Sequence, residues 1–123
     1  MNKTKKRKIG DLGEELSLIY LKNKGHQLVT RNWEKPKMGE IDLITTQNDT
    51  LYFIEVKTTE NANNNYSPLD HLDKNKMKRF ERIVNHYLIE NELIDKEYQL
   101  SACLVYIDKK EKKAKINFIE NIY

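Results

Sequence analysis

One cysteine, Cys103, stands among 123 residues, which excludes an internal disulfide and a multi-cysteine zinc site. Two prolines and four glycines exclude collagen-like and proline-rich chains. No apolar run approaches the roughly 18–20 residues a membrane helix needs. The basic start MNKTKKRKIG lacks the apolar core of a signal peptide behind it. His26, His71 and His86 are scattered without metal-ligand spacing and are expected on the surface. A large excess of one charge sign is missing too: 22 basic and 19 acidic side chains leave a net +3. The class that survives is a single-domain, cytoplasmic α/β or α+β protein.

What the chain does have is charge, 33% of its residues against a usual ~25%, and unevenly spread. Residues 1–39 carry ten basic and four acidic side chains, whereas residues 40–60 carry one basic and five acidic. That acidic island coincides with strand-like segments, where charge is expensive to bury. It is the first sign of a site.

Residues 1–8 read as a basic flexible tail, and residues 9–123 as the domain. Ile9, Leu12, Leu16 and Ile19 recur at helical spacing over residues 9–24, with Gly25 as a stop. A second stripe, Gly10, Glu14, Ser17 and Leu21, is small enough to let that helix approach a sheet. Either Glu14 or Glu15 is then the inward-facing acid. Strands are expected over 27–33, 40–46, 51–57, 98–107 and 114–122. Residues 60–67 are Asn-rich and read as a loop. Ser67-Pro68 reads as the start of a helix over about 68–91. Its core face is Leu72, Met77, Phe80, Val84, Tyr87 and Leu88, and its outer face carries Lys74, Lys76, Lys78, Arg79 and Arg82. Cys103 reads as a core residue, and Trp33 as a core or edge residue, with stacking on a base as the alternative.

Strands 40–46 and 51–57 carry the chemistry. With Asn48 and Asp49 as a two-residue turn, Asp42 stands opposite Glu55 and Glu40 opposite Lys57. Ile41 then pairs with Val56, and Leu43 with Ile54, on a shared apolar face. Like charges directly opposite on a sheet are destabilising. A bound cation, a shared proton or full solvation would each relieve them. A hard divalent ion such as Mg²⁺ suits two carboxylates plus substrate phosphate, with Lys57 stabilising developing charge. The plain alternative is a Glu40–Lys57 cross-strand salt bridge with Asp42 and Glu55 in water.

GEIDLI followed by FIEVKT resembles the D…(D/E)xK signature of the restriction-endonuclease-like superfamily. Gly13-Glu14, Gly25 with Arg31-Asn32-Trp33, Gly39 through Ile44, Phe53 through Lys57, and Pro68 with Lys76 together resemble the YraN-type family of small bacterial proteins. The resemblance covers about residues 9–107. Thr59, Ser67 and Leu100-Ser101-Ala102 depart from its usual Arg, Gly and Asp.

The resemblance implies a single α/β domain with a central mixed sheet flanked by helices, similar to archaeal Holliday-junction resolvases. It implies Asp42, Glu55 and Glu14 as ligands of Mg²⁺ or Mn²⁺ and Lys57 as the catalytic lysine. Lys76, Lys78, Arg79 and Arg31 are the candidate nucleic-acid contacts. The expected function is metal-dependent phosphodiester hydrolysis on nucleic acid, DNA before RNA, with a homodimer as a candidate assembly and no membrane partner. An inactive nucleic-acid-binding module on the same fold is the first alternative, and a partner-binding adaptor the second.

Overall fold

The structure is a computed structural model that describes residues 4–60 and 73–122. Helix α1 spans Lys5–Asn23 and starts at Thr4, whose hydroxyl accepts a hydrogen bond from the Arg7 N–H at 3.1 Å, an N-cap. Lys5, Lys6, Arg7 and Lys8 therefore lie in the first turns of α1, not in a flexible tail. A side-chain cap can start a helix ahead of its apolar stripe. The helix ends on Gly25 at φ +94°. There the Gly25 N–H reaches the Lys22 carbonyl and the His26 N–H the Leu21 carbonyl, the left-handed ending that favours glycine.

Among the described residues five strands follow: β1 (Gln27–Lys35), β2 (Gly39–Gln47), β3 (Thr50–Glu60), β4 (Tyr98–Asp108) and β5 (Lys113–Ile119), with α2 (Lys74–Glu90) between β3 and β4. They form one sheet in the order β1-β2-β3-β4-β5. All neighbours are antiparallel except β3 and β4. A parallel pair needs a long crossover, and α2 lies on it. This is the mixed, helix-flanked α/β sheet expected of a restriction-endonuclease-like fold.

The two helices cover opposite faces of the sheet. Leu21 of α1 packs with Leu43, Tyr52, Ile54 and Cys103. Phe80, Ile83, Val84, Tyr87 and Leu88 of α2 pack with Ile41, Ile44, Leu51, Phe53 and Leu100. Each such side chain removed from water contributes about 1.5–3 kcal/mol. Trp33 joins the α2 core, edge-on to Tyr87.

Several expectations change. The inward stripe of α1 is Gly13, Ser17, Leu18 and Leu21, while Leu12 and Ile19 are exposed. The reason is steric: a β-carbon on Gly13 would sit 1.8 Å from the Thr58 hydroxyl, so the helix lies too close to β3 for the bulkier stripe. Helix α2 starts at Asp73, which has extended backbone and caps the Lys76 N–H. The expected start at Ser67-Pro68, the Asn-rich loop, Leu72 and His71 lie outside the described residues. Ile83 belongs to the α2 core face. His26 is buried, with its Nδ1 2.8 Å from the Thr45 hydroxyl, because it closes the end of α1 onto the sheet. His86 is exposed, as expected.

Candidate metal and phosphate site

Asn48 and Asp49 both have positive φ, the backbone of a tight hairpin turn. The β2–β3 register follows the expected one from Gln47↔Thr50 to Leu43↔Ile54. The ladder ends there. In place of the next rung, the Val56 N–H donates to Asp42 Oδ2 at 2.7 Å. On the other side, β2 stays paired with β1 through Arg31↔Leu43 and Trp33↔Ile41, and the positions between these pairs, Asn32 and Asp42, are skipped. Asn32 has φ +51°. Ile41 packs on the α2 face and Leu43 on the α1 face, so they do not share the expected face. The β1–β2 ribbon turns over at Asn32 and Asp42, which breaks simple alternation.

That turnover gathers acids from two elements. Carboxylate oxygens of Glu14 in α1 and of Glu40 and Asp42 in β2 all lie within 4.8 Å of one another. The Asn32 side-chain amide donates to Glu14 Oε1 at 2.9 Å and to Glu40 Oε1 at 3.0 Å. Burial, reinforced by Glu14, Glu40 and Glu55 and opposed by the Val56 N–H, pushes the Asp42 carboxyl up to about 8. Burial also raises Glu14, with Asn32 pulling the other way. Three converging carboxyl groups, whose crowding and burial work against ionising Asp42 and Glu14, form an all-oxygen donor set. That chemistry fits a hard divalent cation.

A cavity of about 190 Å³ opens beside this cluster, lined among others by Glu40, Glu55, Lys57, Lys76 and Arg79. It joins the middle of β3 to the first turns of α2. Lys57 Nζ sits 3.4 Å from Glu55 Oε1, so Glu55, not Glu40, is its partner. Glu40 is held instead by Asn32. On the α1 side, Arg7, Asp11, Glu14, Arg31 and Glu40 line a second cleft.

The expected residues thus fall into two adjoining groups. Glu14 and Asp42 meet in the acid cluster, with Glu40 as third member. Glu55 and Lys57 face the cavity that Lys76 and Arg79 also line. Lys78 is exposed and outside that lining. Arg31 pairs with Glu15, which leaves Glu14 as the acid turned to the sheet. Sequence reasoning missed Asn32 and the place of Glu40. The available signal for Glu40 was its spacing two residues before Asp42. Asn32 stands in the Arg31-Asn32-Trp33 stretch that carries the resemblance, but nothing local points to its partners, which come from α1 and β2.

The model of the uncharacterised protein family UPF0102 matches residues 13–116, a span that takes in Glu14, Asn32, Glu40, Asp42, Glu55, Lys57, Lys76 and Arg79. Similar proteins include a UPF0102 protein of Alkaliphilus oremlandii, 35% identical over 95% of this chain and 98% of the relative. Another, from Brachyspira hyodysenteriae, is 37% identical over 96% of this chain and 97% of its own length. A third, from Campylobacter jejuni subsp. doylei, is 33% identical over 92% and 91%.

Proposed function

The chain belongs to the uncharacterised protein family UPF0102, and from that premise we propose that it is a metal-dependent nuclease that hydrolyses phosphodiester bonds in nucleic acid. The observation that carries this reading is the adjacency of the Glu14–Glu40–Asp42 cluster and the cavity lined by Glu55, Lys57, Lys76 and Arg79. Cation-binding oxygens and phosphate-binding cations stand side by side.

Asp42, Glu14 and Glu40 would hold Mg²⁺ or Mn²⁺, with Glu55 on the wall of the adjoining cavity. When bound, such an ion polarises a phosphoryl oxygen and lowers the pKa of an attacking water. The rest of the work belongs to the chain's own groups. Lys57, oriented by Glu55, faces the phosphate's position and stabilises negative charge that develops there. Lys76 and Arg79, from the first turns of α2, bind flanking phosphate oxygens. The Val56 N–H fixes Asp42 Oδ2 beside the cluster.

The test is a cleavage panel of branched, single-stranded and duplex substrates with Mg²⁺ or Mn²⁺, using Glu55→Ala as control. Cleavage by the wild type that vanishes in Glu55→Ala and Lys57→Ala supports the reading. Failure to cleave any substrate at either metal sinks it. One observation favours the inactive binding module instead: among the described residues the converging acids are Glu14, Glu40 and Asp42, while Glu55 is engaged by Lys57. Salt-dependent binding without cleavage would establish that module.

A further inference from the structure

We propose that Asn32 is the positioning residue of the acid cluster: its amide brackets Glu14 and Glu40 and sets the spacing at which they and Asp42 present oxygens to a divalent cation. This rests on the metal-site reading above and adds to it a residue of the Arg31-Asn32-Trp33 stretch to which that reading gives no role.

The argument begins with hydrogen-bond capacity. A side-chain amide nitrogen has two N–H donors. Asn32 Nδ2 aims both at carboxylates, Glu14 Oε1 at 2.9 Å and Glu40 Oε1 at 3.0 Å. Those acids lie on different elements, α1 and β2, so one neutral group ties β1 to both. Each of the three acids then spends one oxygen on a protein donor, with Asp42 Oδ2 held by Val56. Glu40 also hydrogen-bonds Asp42, a contact between two acids that a cation would replace. A lysine or arginine at this position would also hold the acids, but its charge would compete with the metal.

The backbone at this position serves that side chain. Asn32 is left-handed, φ +51°, inside a strand, a conformation that asparagine tolerates better than most non-glycine residues. It stands opposite Asp42, at the pair of positions the ladder skips. A regular strand would alternate Arg31, Asn32 and Trp33 across the two faces. Here Arg31 reaches Glu15 of α1 and Trp33 packs on α2. The turnover between them is what carries the Asn32 amide to the acids.

The test uses the full chain and Mn²⁺ titrations by calorimetry on wild type, Asn32→Gly, Asn32→Ser and Asp42→Asn. Glycine keeps the left-handed backbone available and removes only the amide. Serine provides a second variant, too short to reach both acids. Circular dichroism and urea unfolding check that each variant folds. Both Asn32 variants are expected to bind Mn²⁺ 10–100-fold more weakly than wild type, the usual range for a residue that orients metal ligands. Wild-type affinity in a folded Asn32→Gly, with binding lost in Asp42→Asn, overturns this proposal and leaves the metal site standing. No binding by wild type, or equal binding by Asp42→Asn, overturns both.

Discussion

Asp42 does two jobs that pull in opposite directions. Its Oδ2 replaces a missing ladder bond by accepting from the Val56 N–H, while burial and neighbouring acids work against its charge. An amide satisfies the first role without the second. Asp42→Asn is therefore expected to be more stable than wild type in EDTA at neutral pH. Asp42→Ala is expected to be less stable by about 1–3 kcal/mol, the cost of leaving a buried donor unpaired. Urea unfolding of the three proteins checks the order, and an asparagine variant less stable than alanine would contradict it. His26 is the opposite case, a base that burial keeps neutral by lowering its pKa. The unfolded chain takes up the proton more readily, so this contribution is full above the unfolded value of about 6.5 and is lost as pH falls below it. The urea midpoint of wild type should drop between pH 7 and pH 5 more than that of His26→Gln. Equal slopes would show that the imidazole carries no such linkage. Asp42 was legible because it sits in a motif beside a tight turn. His26 was not, because a polar residue at the start of a strand gives no sign that a helix end closes over it. The buried thiol of Cys103, pushed up to about 12 by burial, was legible from the apolar alternation around it.

For the elements, legibility followed the range of the interaction that fixes them. The β2–β3 register depends on a two-residue turn and on apolar pairing, both local, and the observed rungs match the expected ones. The face of α1 depends on how closely it approaches β3, a tertiary distance, so Leu12 and Ile19 of its expected stripe are exposed while Ile9 and Leu16 are only half-buried. Gly13 reports that distance. Gly13→Ala places a methyl 1.8 Å from the Thr58 hydroxyl and is expected to cost about 1–3 kcal/mol, the range for overpacking. Thr58→Ala in the same chain should recover part of the loss, because it removes the atom in the way. Additive losses in a double-mutant cycle would mean that the two positions do not meet. The turnover at Asn32 and Asp42 was illegible for the same reason as the face of α1: it is set jointly by β1, β2, β3 and α1.

Across the whole molecule, the bland net charge of +3 resolves into an acidic centre with basic borders. Neither α1 nor α2 has an acidic residue in its first turn, against the preference of the helix dipole. Those turns carry Lys5, Lys6, Arg7 and Lys8 in α1, and Lys74 and Lys76 in α2. Arg7 and Lys76 line the two clefts beside the acids. The β4–β5 turn adds Lys109, Lys110 and Lys112, and the start of β5 adds Lys113, with Lys109 Nζ 2.8 Å from Glu60 at the end of β3. If nucleic acid lies across this end, its affinity falls with salt in proportion to the phosphates neutralised. Replacing Lys110, Lys112 and Lys113 by alanine should lower the slope of log K against log salt on duplex DNA, by about 0.9 for each phosphate left without its lysine. An unchanged slope would take that turn off the path. The same topology has a consequence in time. Asn32, Glu40, Asp42, Glu55 and Lys57 all lie in β1–β3, whose turns span residues 36–38 and 48–49, whereas the β3–β4 pairing closes over residues 61–97. Short loops close at less entropic cost than long ones, and distant pairings slow folding. Amides of residues 43–54 should gain protection from hydrogen exchange during refolding before those of 98–107, and the reverse order would contradict this. The acids are then neighbours while the sheet is still open, so their mutual repulsion acts on the folding barrier as well as on the finished protein.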